Sequence, residues 1–107
     1  MSIERLRITA SKLLPYVREA ARSSSNVVFI PPLEKRSMAG MITFHQAFRC
    51  LQEGRLVGQP VQNPRGDWEL RLEYFSAGVL FRLRVVAVCD GARVRQLIVF
   101  PSGATHV

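Results

Sequence analysis

The sequence has few of the residues that build disulfide frameworks and metal centres. Among its 107 residues there are two cysteines, Cys50 and Cys89, and two histidines, His45 and His106, and all four stand apart from one another. Disulfide scaffolds and zinc sites both need clustered ligands. We therefore predict two small, buried thiols, no metal site and no cofactor.

Long apolar runs are missing as well. A membrane-spanning helix needs about 18 or more apolar residues, and no run approaches that length. The N-terminal stretch MSIERLRITA is charged early and lacks the apolar segment of a secretory signal. We expect a cytoplasmic protein with no membrane partner. A length of 107 residues, 48% of them apolar, indicates a single domain over residues 1–107, with its core at about 12–100 and a flexible tail at 101–107.

Acidic residues and lysines are scarce. Eight acidic residues face 15 basic ones, which gives a net charge of +7, and only Lys12 and Lys35 of the basic residues are lysines. Guanidinium groups bind phosphate and carboxylate in a bidentate manner better than ammonium groups do. The charge makes a polyanionic partner plausible.

The N-terminal half has helical patterns around one short apolar run. Apolar residues at helical spacing predict a helix over about 12–22, VVFI (27–30) predicts a short buried strand, and PPLEKRSMAG predicts one or two helical turns. Thr43 and Gln46 have the spacing of a capping box, so a further helix should begin there and end at Gly54.

The C-terminal half has a period of two. Turn signals separate four predicted strands, at about 55–62, 67–76, 79–89 and 92–100. The fold class is therefore α+β, with the N-terminal helices packed on one face of an antiparallel sheet and the element order α-β-α-α-β-β-β-β.

A two-residue Asp90-Gly91 turn predicts which face each side chain occupies. It pairs Cys89 with Ala92 and Val88 with Arg93. One face then carries Leu80, Arg82, Arg84, Val86, Val88, Arg93, Arg95, Leu97 and Val99. The other, apolar face carries Val79, Phe81, Leu83, Val85, Ala87, Val94, Gln96, Ile98 and Phe100.

Extending the register through Ala77-Gly78 adds a third strand to both faces. Trp68, Leu70, Leu72 and Tyr74 join the apolar face, and Asp67, Glu69, Arg71, Glu73 and Phe75 join the mixed one. The five arginines of that uncovered face have two interpretations. Either they pair with Asp67, Glu69 and Glu73 across the strands, or their excess positive charge binds phosphate.

The stretches VVFIPPLEKRSMAGMITFHQAFRCLQEGRLV and NPRGDWELRLEYFSAG resemble a bacterial domain-of-unknown-function family related to the RelE/ParE/BrnT-type toxins. The likeness covers about residues 26–100. Matching Arg36 to the family's arginine places Pro32 at its histidine, Leu33 at its alanine and Ser37 at its methionine, while Gly40-Met41 replaces Arg-Gly. Arg36 and Thr43 remain.

The resemblance implies a toxin that cleaves RNA, often in the ribosome, or poisons gyrase. Metal-free RNA cleavage needs a base, an acid and cations. Arg82 and Arg84 would supply the cations, and His106 lies in the tail, where relatives often place catalytic side chains. His45 should face solvent, and Glu73 opposite Arg82 should have a lowered pKa, which makes it a poor acid.

Three hypotheses follow from these patterns. The first is a toxin-like ribonuclease that binds RNA and is covered by an antitoxin. The second is a non-catalytic module that contacts nucleic acid or a protein, and the third is a subunit that dimerises through an edge or through the aliphatic residues of the arginine face. The residues expected to bind nucleic acid are Arg36, Arg71, Arg82, Arg84, Arg93 and Arg95.

Overall fold

The computed structural model describes residues 8–30, 42–91 and 93–106, with side chains described as far as residue 101. They form an α+β fold, as predicted, with two α-helices and a six-stranded sheet among the described residues. The elements are α1 (Leu13–Ala20), β1 (Val27–Phe29), α2 (Phe44–Glu53), β2 (Arg55–Leu56), β3 (Val61–Gln62), β4 (Trp68–Ser76), β5 (Val79–Asp90) and β6 (Arg93–His106). The short helix expected within residues 31–40 lies outside the described residues.

The sheet is mixed, which corrects the expectation of a purely antiparallel one. Its strand order is β1-β6-β5-β4-β2, and β3 also pairs with β4. β4, β5 and β6 form the expected antiparallel meander, but β1 pairs in parallel with β6, so that Val28 lies beside Ile98. Parallel neighbours need a long crossover, and the chain between β1 and β6 contains α2 and the rest of the meander.

Both helices pack on one face of the sheet. Leu13 and Val17 of α1 and Ala47 and Leu51 of α2 are buried against side chains of the three long strands. The strand side chains in this core are Trp68, Leu70, Leu72, Phe81, Leu83, Val85, Ala87, Val94, Leu97 and Val99. Among the described residues, neither helix is long and apolar enough to span a bilayer.

α2 has the boundaries that the sequence predicts. The Thr43 hydroxyl accepts a hydrogen bond from the Gln46 backbone N–H, and the Gln46 side chain accepts one from the Thr43 N–H. At the other end, the Gly54 N–H donates to the Cys50 carbonyl. Arg18 of α1 then donates to the carbonyls of Gln52 (2.9 Å) and Gly54 (2.7 Å). α1 thus supplies hydrogen-bond donors to the C-terminal carbonyls of α2, which have no partner within their own helix.

The register of β6 departs from the prediction. Asp90 pairs with Arg93 and Cys89 with Val94, but Val88 pairs with Gln96. Arg95 is therefore an extra residue in a β-bulge, which reverses the faces of the residues that follow it. The predicted faces of Gln96 to Phe100 are wrong for this reason. Leu97 and Val99 are fully buried under the helices, whereas Gln96, Ile98 and Phe100 lie on the opposite face.

Two strand lengths also differ from the prediction. β6 continues to His106, where its backbone pairs with Val79 of β5, although the sequence predicts a loose tail from residue 101. A second register shift between Arg82 and Leu83 accommodates this extension. The strand expected at 55–62 is instead two short strands, β2 and β3, because Gly58 adopts a positive φ of 71° and Pro60 follows it. Proline lacks the N–H that a continuous ladder requires.

The β4–β5 turn contains a strained residue, which provides a stability prediction. Ala77 has a φ of 51° and Gly78 a φ of 80°. A left-handed conformation costs a residue with a Cβ about 1–2 kcal/mol, and glycine avoids that cost. We expect Ala77→Gly to raise the free energy of unfolding by about 1 kcal/mol. The greater conformational freedom of glycine in the unfolded chain reduces this gain by a few tenths of a kcal/mol. Urea denaturation measures this change, and a destabilised variant would contradict the strain.

Candidate interaction face of the sheet

The face of the sheet opposite the helices, here called the open face, carries the predicted arginines. The β4–β5 pairing places Glu73 opposite Arg82 and Arg71 opposite Arg84, as the sequence predicts. β2 adds Arg55, which lies opposite Glu73 on the other side of β4. We call Arg55, Arg71, Arg82 and Arg84 the arginine cluster. All four residues are exposed.

Glu73 is bound between two members of the arginine cluster. Arg55 donates to its Oε1 through Nε (3.0 Å) and Nη2 (2.7 Å), and the Nε of Arg82 lies 3.6 Å from its Oε2. The hydrogen bond from Arg55, followed by the charges of Arg55 and Arg82, lowers the pKa of Glu73. Glu73 therefore stays ionised at neutral pH and is unsuited to act as a general acid.

Of the two opposed arginines Arg84 and Arg71, only Arg84 is paired with a described carboxylate. The Nη1 of Arg84 lies 3.2 Å from the Oε1 of Glu69, while Arg71, directly across the strand pair, has no ion pair with any described side chain. Like charges directly opposite each other destabilise a strand pair. The two arginines line a groove of about 450 Å³ beside residues 57–61. This part of the open face has more positive charge than its carboxylates neutralise.

An apolar patch lies beside the arginine cluster. Val28, Ile98 and Val86 are direct neighbours across β1, β6 and β5. Ile30, Val88 and Phe100 lie two positions further along the same three strands. The patch therefore comprises Val28, Ile30, Val86, Val88, Ile98 and Phe100. Val28 and Ile30 are 39% and 47% exposed. Arg84 joins patch and cluster, because its guanidinium lies 4.1 Å from the ring centre of Phe100.

The other predicted site residues are not part of this cluster. Arg93, opposite Asp90, and Arg95, in the bulge, are exposed at the far end of β5 and β6. At about 3.3 Å per residue, the six positions from Arg84 to Asp90 separate the two groups by roughly 20 Å. Arg36 lies outside the described residues. The backbone of His106 ends β6, but its side chain lies outside the described part of the chain.

Two expectations about the polar residues differ from what the structure shows. Asp67 does not pair with any of the described arginines; its carboxylate accepts a hydrogen bond from the Cys89 N–H at 3.1 Å. Arg55 was predicted only as the start of a strand, although it makes the shortest ion pair of the open face within the described residues. The pairing of β2 with β4 places Arg55 opposite Glu73, and no sequence pattern indicated that pairing.

Cys50 is a buried thiol, as predicted, whereas Cys89 is only half-buried. Cys50 is fully buried, and burial raises the pKa of its thiol to about 12, so it is not a nucleophile at neutral pH. Cys89 is half-buried, and burial raises its pKa as well. Over residues 8–30, 42–91 and 93–106, the structure brings together no group of three His, Cys, Asp or Glu side chains that would hold a metal ion.

The described side chains of the open face supply cations and an apolar surface, and both of its glutamates, Glu69 and Glu73, lie within ion-pair distance of arginines. Comparisons of the chain with protein-family models, with curated proteins and with solved structures find no match.

Proposed function

We propose that the protein is a binding domain that acts through the open face of its sheet. Its partner would be a protein segment that carries both apolar and acidic side chains. The observation that carries this proposal is the contact between the apolar patch and the arginine cluster at Arg84 and Phe100. A segment lying across that boundary would bury the patch and place its carboxylates beside the arginines.

The composition of the apolar patch favours a protein over a nucleic acid. Five of its six residues are aliphatic, and Arg84 already lies over the ring of Phe100. Nucleic acids are bound through phosphate contacts and through aromatic rings on which bases stack. A contiguous apolar patch, here with Val28 and Ile30 exposed and its other members half-buried, instead indicates a protein–protein contact.

A toxin-like ribonuclease remains the second candidate, supported by Arg71 and Arg84. Two opposed guanidinium groups, of which only Arg84 is paired with a described carboxylate, would suit a phosphodiester. On this reading the protein is a RelE/BrnT-like toxin that binds RNA or the ribosome, and the partner over the open face is its antitoxin. The base and the acid would have to come from residues outside the described part of the open face.

The replacement Ile98→Ser separates the two candidates. It removes apolar surface from the patch without changing the charge. We expect it to weaken binding of a labelled peptide of about eight alternating valine and glutamate residues by about tenfold, the loss typical of one buried interface anchor. Binding of a single-stranded oligouridine should change little. Fluorescence anisotropy measures both affinities.

Tyr16→Ser is the control for Ile98→Ser. Tyr16 is a 39% exposed residue of α1, which packs on the opposite side of the sheet, so its replacement also removes exposed apolar surface without changing the charge. It should leave peptide binding unchanged. If oligouridine binds more tightly than the peptide, or is cleaved, the ribonuclease candidate replaces the proposed function.

A further inference from the structure

A second cluster of polar side chains lies on the helix side of the sheet, away from the open face. His45 and Arg49 are one helical turn apart on α2, and Tyr74 and Ser76 are two residues apart on β4. Both spacings place the two side chains on the same side of their element. The four residues line one cavity of about 310 Å³ between α2 and the β4–β5 hairpin, together with Val79 and Phe81.

Arg49 is held in place at this cavity by two neighbours. Its Nε lies 2.9 Å from the Oε2 of Glu53, and its Nη2 lies 3.3 Å from the Tyr74 hydroxyl. The hydrogen bond with Tyr74 and then the charge of Glu53 raise the pKa of Arg49. Its Nη1 donates to no described side chain, so two N–H groups of a fixed guanidinium remain available to a ligand. A side chain already ordered loses less entropy when a ligand binds.

The groups around the cavity are mostly hydrogen-bond donors. A guanidinium, an imidazole and two hydroxyls face it, and Glu53 at its edge is already paired with Arg49. Acceptor-rich anions suit such a set, and phosphate presents several oxygen acceptors at once. The volume exceeds that of a phosphate group alone, and Val79 and Phe81 provide an apolar wall for the remainder of a small ligand.

We propose that the cavity between α2 and the β4–β5 hairpin binds a small phosphate monoester, with Arg49, Tyr74 and Ser76 contacting the phosphate group and His45 closing the site. Nothing in this proposal depends on the proposed function, because the cavity and the open face lie on opposite sides of the sheet.

Phosphate titrations followed by NMR test this site. Inorganic phosphate and ribose 5-phosphate would be added separately to the ¹⁵N-labelled protein. We expect saturable shifts of the backbone amides of Ser76 and Ala77 and of the His45 ring, with tighter binding of ribose 5-phosphate, because its sugar reaches the apolar wall. Arg49→Gln should weaken binding of both probes by about tenfold or more, which is the loss typical of a charged hydrogen bond.

Arg22→Gln is the matched control for Arg49→Gln. Arg22 is an exposed arginine that pairs with Glu19 on α1, so the substitution makes the same change in net charge and also breaks a surface ion pair. It should leave both affinities unchanged. Tyr74→Phe, which keeps the ring and removes the hydroxyl, should weaken binding severalfold. Equal losses in the two arginine variants, shifts confined to the open face, or no saturable shift would each overturn the proposal.

Discussion

Replacing Gly54 with alanine is expected to destabilise the fold by about 3 kcal/mol, at the upper end of the range for overpacked sites. A Cβ at this position would lie 2.4 Å from the Cys50 carbonyl oxygen and 2.9 Å from the Glu73 carbonyl oxygen. Both are backbone atoms, so neither can rotate away. Either the last turn of α2 or β4 must move. For a domain of this size the melting temperature should fall by about 12 °C or more.

Gly58→Ala provides the control, because the two glycines are required for different reasons. Gly54 has a φ of −67°, which any residue adopts. A side chain is excluded there only by the neighbouring backbone oxygens of Cys50 and Glu73. Gly58 has a φ of 71°, and no atom of the described residues lies within 4 Å of a Cβ built there. Its replacement should cost about 1–2 kcal/mol of backbone strain. A thermal-denaturation series in which Gly54→Ala is no worse than Gly58→Ala would contradict the close approach of α2 to β4.

The Gly54 position also matters for the open face. Arg55, the next residue, donates to Glu73, whose carbonyl blocks a side chain at position 54. Arg18 of α1 donates to the Gly54 carbonyl on the same stretch of chain. Residues 54 and 55 therefore connect both helices to Arg55 of the arginine cluster. A substitution that displaces residues 54 and 55 should weaken the Arg55–Glu73 ion pair and also lower the free energy of unfolding.

The β4–β5 hairpin could be predicted from the sequence because local chemistry determines its register. Ala77-Gly78 forms a two-residue turn, and the apolar alternation on both sides of it is unbroken. Glu73 therefore lies opposite Arg82 and Arg71 opposite Arg84, as expected. α2 was predictable for the same reason, since Thr43 and Gln46, three residues apart, mark its start and Gly54 marks its end.

The register of β6 shows why a correct strand can still be assigned the wrong face. Asp90 pairs with Arg93, whereas the predicted turn pairs Cys89 with Ala92, so the pairing is shifted by two residues. A shift of two leaves the faces unchanged, so Arg93 stays on the open face. The bulge at Arg95 moves the pairing by one and reverses every face beyond it. Both faces of residues 96–100 contain apolar side chains, so the pattern could not reveal the bulge.

The apolar patch depended on a contact that no local pattern contains. β1 joins the sheet beside β6, about 70 residues later in the chain, and places Val28 next to Ile98. Alternation along VVFI is apolar on both sides and does not show which residues face solvent. The predicted patch therefore contained Leu97 and Val99, whereas the structure places Ile98, Phe100, Val28 and Ile30 there. The conclusion that aliphatic residues lie among the arginines still holds, but with different members.

Replacing Arg71 with glutamate should reduce binding while it stabilises the fold. Arg71 and Arg84 are like charges directly opposite each other, so a glutamate at position 71 converts repulsion into attraction and should add about 0.2–1 kcal/mol to the free energy of unfolding. The open face meanwhile loses a cation and gains an anion beside the patch. We expect the valine–glutamate peptide to bind about 10- to 100-fold more weakly, the loss typical of one or two charged hydrogen bonds.

If Arg71→Glu weakens peptide binding while it raises the free energy of unfolding, misfolding does not explain the loss of binding. Arg65→Glu is the matched control, since Arg65 is an exposed arginine in the turn at residues 63–66 and its replacement makes the same change in net charge. It should weaken peptide binding only through long-range attraction, an effect that 0.5 M salt largely screens. The Arg71→Glu loss should persist in part at that salt concentration, because its cause is a direct contact. Equal losses in the two variants would mean that net charge, rather than the geometry of the open face, governs binding.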